Sequence, residues 1–201
     1  MPSSAWSGAP EPSAGQPARP APRRLFLAID APAPLATALL GLMQPAAGFA
    51  WTPPDQLHLT LRFLGDTPEA SIAPLCERLR AIRVARFLLP VGSLGVFPPH
   101  GRARVLWCGI GAGQPRLHLL RQHIDDTILA LGLAADQRRF VPHFTLARLG
   151  AAAQAQGPRW LDRHRGFSTA PFGVERFTLY AGELRPSGAV HTAIEEFPLL
   201  A

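Results

Sequence analysis

The chain has 201 residues, room for one domain or for two small lobes sharing a core, and 47% of them are hydrophobic. Its net charge is +6 and all 20 basic residues are arginine, a balance that favours an anionic partner over a cationic one. No apolar run reaches the length of a membrane span, and two cysteines, Cys76 and Cys108, are too few for a disulfide framework or a zinc site.

Met1–Arg23 is rich in Pro, Ala, Ser and Gly and has no apolar stretch of the secretory-signal kind. It is read as a disordered tail, and residues 24–201 as a single domain in a reducing cytoplasm, with both cysteines filling core space. "RLFLAID", Arg24–Asp30, predicts a buried strand. "APLATALLGLMQ" predicts a helix through Leu35, Leu39, Leu42 and Met43, weakened by Gly41. "FAWTPPDQ" is a short extended piece followed by a turn. "LHLTLRFLG" alternates as a strand does. "PEASIAPLCERLRAI" carries Ile72, Leu75, Leu79 and Ile82 at helical spacing, with Pro74 in the first turn. "RFLLPVGSLGVF" and "RVLWCGI" read as two strands around the turn "PPHGRA". "QPRLHLLRQHIDDTILALGL" is the clearest helix, with Leu117, Leu120, Ile124, Ile128 and Leu131 in one stripe and Gly132 as its stop. "RRFVPHFTLARLG" is a strand, "AQGPRWLDRHRGF" a loop with a short helix, and "FGVERFTLYAGELR" and "VHTAIEEFPLL" two final strands around "PSG".

Two of these strands share a motif. "HLTLRFLG" from His58 and "HFTLARLG" from His143 agree at five of eight positions. Side chains alternate across a strand, so His58 and Thr60 share one face, as do His143 and Thr145. A two-fold relation between the strands would bring two imidazoles and two hydroxyls to one cleft. That set suits metal-free phosphodiester cleavage. One neutral imidazole takes a proton from the nucleophile and one imidazolium protonates the leaving oxygen. The hydroxyls bind nonbridging oxygens as charge builds on them. Unperturbed imidazoles would give a rate maximum at roughly pH 6–8. A zinc site would need a third ligand. His118 and His123 lie five apart on a helix and do not share a face. His100, His164 and His191 have no recurring context and read as surface or turn residues.

The paired H-x-T-x motifs resemble those of the 2H phosphoesterase superfamily. More narrowly, the chain resembles the bacterial and archaeal RNA 2′,3′-cyclic phosphodiesterases, formerly called 2′-5′ RNA ligases. "RLFLAID", "GVFPP…RVLW", "PHFTLAR" and "FTLYAGEL" stand in that family's order from about Arg24 to Leu200. The resemblance implies an α+β fold of two lobes, with a pseudo-two-fold arrangement of antiparallel sheets, flanking helices and a central cleft. It implies hydrolysis of RNA 2′,3′-cyclic phosphate ends or nucleotides to 2′-phosphomonoesters. A monomer with no cofactor and no membrane attachment is expected. His58 would be the proton donor and His143 the acceptor, an assignment the near-symmetric motifs do not make by themselves. Thr60, Thr145 and Arg148 would hold the phosphate. Strict alternation puts Arg148 opposite His143, so that role requires the strand to end or bulge near Ala147. Arg62 has the parity of the cleft but is equally read as a solvated arginine. Phe97 is read as a core aromatic, with base stacking at the cleft mouth as the alternative. Rival functions are a silent nucleotide- or RNA-binding module, action on small cyclic phosphates, and the reverse ligation.

Overall fold

A computed structural model describes residues 21–111, 114–133, 139–185 and 188–201. The expected tail therefore lies outside the described residues as far as position 20. The first strand begins at Arg23, one residue inside the expected tail.

The elements are β1 (Arg23–Asp30), α1 (Ala33–Leu40), β2 (Phe49–Trp51), β3 (His58–Thr67), α2 (Ile72–Arg80), β4 (Phe87–Leu89), β5 (Val91–Phe97), β6 (Val105–Ile110), α3 (Pro115–Ala130), β7 (His143–Leu149), α4 (Gln156–Arg163), β8 (Phe172–Val174), β9 (Arg176–Arg185) and β10 (Gly188–Pro198). Eight strands form one antiparallel sheet in the order β10-β9-β1-β3-β7-β6-β5, with β2 added to β7; β4 and β8 pair separately. The two lobes are the halves of this sheet. They meet at β3 and β7, joined there by the single register pair Leu59–Phe144.

One face of the sheet is apolar. Leu25, Leu27, Leu59, Leu61, Phe144 and Leu146 point into a continuous core with Leu75 and Leu79 of α2 and Leu117, Leu120, Ile124 and Ile128 of α3. Each helix presents the stripe its spacing predicts. The other face carries the polar side chains of the motif strands. Cys76 and Cys108 are buried and free, and burial pushes their thiols up to about 11 and about 12. Among the described residues no helix is long and apolar enough to cross a membrane.

Three expected boundaries shift for local reasons. α1 stops at Leu40, because Gly41 is a weak helix former, and Leu42 is buried from the following turn. "RFLLPVGSLGVF" is two strands, not one. Pro90 has no N–H to donate, so β4 leaves to pair with β8 while β5 pairs with β6. "FGVERFTLYAGELR" likewise divides at Glu175 into β8 and β9. α3 ends before Gly132, whose φ of 70° is the left-handed stop the sequence predicts.

Candidate active site

β3 and β7 carry the same defect at the same place. On β3, Thr60 pairs with Ala28 but Arg62 with Leu27, so Leu61 is an inserted residue. On β7, Thr145 pairs with Trp107 but Ala147 with Leu106, so Leu146 is inserted. A bulge reverses the alternation beyond it. Phe63 thereby joins the face of His58, and Arg148 joins the face of His143. The burial agrees: Leu149 is in the core, whereas Phe63 and Arg148 are exposed. The bulge resolves the parity conflict at Arg148. It also removes Arg62 from the face its parity predicted. Arg62 is 2% exposed and its guanidinium lies 3.4 Å from Asp125 of α3. It is not a solvated surface residue.

The imidazoles are oriented identically. Nδ1–H of His58 donates to the carbonyl of Gln56 at 2.7 Å, and Nδ1–H of His143 donates to that of Val141 at 2.6 Å. A carbonyl accepts only, so the proton sits on Nδ1 and each neutral ring offers Nε2 as its free acceptor. Thr60 and Thr145 are half-buried on the same face, and neither hydroxyl is committed to another group among the described residues.

The surroundings break the symmetry. Asp30 lies across from His58 and Gly109 across from His143. Asp30 accepts from the Tyr180 hydroxyl at 2.7 Å and from the Thr178 hydroxyl at 3.1 Å. Phe26 packs 5.1 Å from His58 and stacks on Tyr180 at 5.2 Å. His143 meets Phe97 edge-on at 5.0 Å and Trp107 at 6.1 Å. Phe97 therefore stands beside a motif histidine and is partly exposed, which overturns its reading as a core aromatic. Trp107 lies flat over β5, where a Cβ on Gly95 would come within 2.1 Å of its ring.

One residue at the site has no sequence signal. His191 on β10 faces His58 edge-on at 5.2 Å and Phe26 at 4.8 Å. It is not a surface or turn histidine. Its place depends on the register of β10 on β9, which pairs it with Gly182. His100 lies in an exposed turn as expected. His164 is half-buried at the end of α4, where its Nδ1–H donates to the carbonyl of Trp160 at 2.8 Å.

Burial lowers His58 from 6.5 to about 4; the Gln56 carbonyl and Asp30 oppose the shift, while His191 and His143 add to it. Burial also lowers His143, against the Val141 carbonyl. Above pH 6.5 both motif imidazoles of the free site are thus neutral. Among the described residues no three metal-ligating side chains converge. A larger hollow, of about 810 Å³, lies beyond Asp30 between α1 and β8 and contains no histidine.

Residues 29–107 and 110–191 match the family model described as LigT-like phosphoesterase. An RNA 2′,3′-cyclic phosphodiesterase from Thermus thermophilus is 33% identical over 187 residues, covering 88% of this chain and 90% of that protein. One from Aeropyrum pernix is 38% identical over 98 residues; the match takes in 49% of this chain and spans little more than half, 56%, of that relative's length. The solved structure of TT0787 from Thermus thermophilus superposes with a TM-score of 0.71 at 31% identity, over 87% of this chain and 97% of that one.

Proposed function

This chain belongs to the LigT-like phosphoesterase family, and from that premise we propose that its central site hydrolyses a terminal RNA 2′,3′-cyclic phosphate to a 2′-phosphomonoester. The observation that carries the reading is the matched pair of histidines. Each is latched through Nδ1–H to its own strand, presents Nε2, and has an uncommitted threonine hydroxyl beside it.

The reaction follows from these groups. Water attacks phosphorus and gives its proton to Nε2 of His143. The P–O3′ bond breaks, and the leaving O3′ takes a proton from Nε2 of His58. The 2′-phosphate and a free 3′-hydroxyl remain, and the two imidazoles return to their starting states by exchange with solvent. Thr60, Thr145 and Arg148 donate to the nonbridging oxygens. Asp30 supports the division of roles. It favours a charged ring at His58, though by less than burial disfavours one, and Gly109 supplies no such charge beside His143. An arriving phosphate adds negative charge, which counteracts the burial that keeps His58 neutral in the free site.

Both histidines come from one chain, so the reading extends to a monomer, and the two free buried cysteines suit a reducing cytoplasm. The test is RNA with a 2′,3′-cyclic phosphate end, incubated with the protein in excess EDTA. The expected product is the 2′-phosphomonoester. Binding without turnover would mark a silent module. A 3′-phosphomonoester, or activity that requires added metal, would rule out the steps above.

A further inference from the structure

The two motif strands differ in what lies along the edges by which they face each other, beyond the point where they pair. On β7 the carbonyl of Leu146 accepts the amide of Thr52 at 2.8 Å, just past the point where β2 has paired with the strand. Its counterpart on β3 is the carbonyl of Leu61. That oxygen accepts from Nη1 of Arg121 on α3. A helix side chain thus does on one half what a backbone amide does on the other. No strand follows Leu59 on this side of β3 among the described residues, and a cavity of about 330 Å³ opens there.

The cavity is continuous with the catalytic site, because Thr60 and His143 form part of its wall. Arg62, Arg121 and Arg139 also line it, and no Asp or Glu does among the described residues. Two of these arginines are held in place from behind. Asp125 lies 3.4 Å from Arg62 and 2.7 Å from Arg121, and the Arg121 guanidinium sits 5.0 Å from the Phe140 ring. Arg139 is exposed and makes no ion pair among the described residues.

We propose that this cavity is a second-phosphate subsite, taking the phosphodiester on the 5′ side of the nucleotide whose cyclic phosphate is opened. The proposal rests on the cyclic-phosphate reading of the site. A cyclic phosphate ends its strand, so the next anion lies one nucleotide away in a single direction. Guanidinium groups match phosphate oxygens with a planar fork of donors. Arg62 and Arg121 are already ordered and lose little freedom on binding, and Arg139 supplies an exposed guanidinium at the cavity wall. The volume is at the small end for ligand pockets, about right for a phosphate and part of its ribose. The consequence is selectivity: oligonucleotide ends react ahead of cyclic mononucleotides.

The experiment compares three substrates: adenosine 2′,3′-cyclic phosphate, the same compound with a 5′-phosphate, and an ApA dinucleotide ending in a cyclic phosphate. In the wild-type protein the second phosphate should raise kcat/KM by about 10- to 100-fold, the usual worth of a charge-assisted hydrogen bond. Arg139→Ala should remove most of that gain and leave the first substrate within twofold. The gain should also shrink as salt is raised. No preference in the wild type, or a preference that Arg139→Ala leaves intact, overturns the subsite. Failure of the wild type to turn over any of the three overturns the underlying reading instead.

Discussion

His58 is held at about 4 and His143 is also below its usual 6.5, in both cases chiefly by burial. The proposed reaction needs one of them charged and the other neutral. In the free enzyme that combination is most abundant between the two midpoints, whichever ring is the acid. kcat/KM should therefore peak below pH 6.5, not at the pH 6–8 expected of unperturbed imidazoles. Above the peak the acid has lost its proton, and below it the base has gained one. kcat reports the complex, where phosphate charge favours protonation, so its profile should lie at higher pH. Initial rates across pH 4–9 would show both, and a kcat/KM maximum above pH 7 would contradict the burial argument. His58→Ala and His143→Ala should each lower kcat by about 10²–10⁴-fold, and the double variant by much less than the product of the two. Circular dichroism checks that each remains folded. A folded single variant within threefold of wild type would remove that histidine from the chemistry.

At the scale of the strand, the bulge is what puts Arg148 on the face of His143. Without the inserted Leu146 its side chain would point into the core face. Arg148→Ala should weaken transition-state binding by about 1.5–3 kcal/mol, read as a fall in kcat/KM with the melting temperature held. Unchanged kinetics would make Arg148 a bystander. The β5–β6 pair makes a different demand. A Cβ on Gly95 would come within 2.1 Å of Trp107, deep inside van der Waals contact. Gly95→Ala should cost about 1–3 kcal/mol of stability in a denaturant titration, the range for overpacking. It should also disturb the wall of His143, since Trp107 is that histidine's neighbour. Alternation along the sequence could show the faces of His58, Thr60, His143 and Thr145 because those residues precede the bulges. It failed at Arg62, which lies past one, because an inserted residue leaves no mark in hydrophobic pattern. Pro90 did carry its mark, a missing donor, yet which partner β4 would then find depends on contacts remote in sequence.

For the whole molecule, the sequence repeat located the seam: two like strands, side by side and antiparallel in one sheet, with one histidine from each half. The helical stripes of α2 and α3 were legible for the same reason, since each buries its own periodicity. His191 was not legible. It reaches His58 through the pairing of β10 with β9 and of β9 with β1, a chain of registers that no local pattern fixes. The core residues run from Leu25 to Leu199. A chain beginning at Ala21 should therefore melt within a few degrees of the full-length protein and keep its turnover. A large loss of either would make the first twenty residues part of the working fold.

Many histidine catalysts rely on a carboxylate to hold the ring, and one substitution there can disable them. Here both rings are steered by main-chain oxygens, those of Gln56 and Val141. Every amino acid supplies that oxygen. The orientation of the two rings is thus buffered against point mutation at the very positions that provide it. Genetic change can reach it only by altering the path of the backbone before each strand.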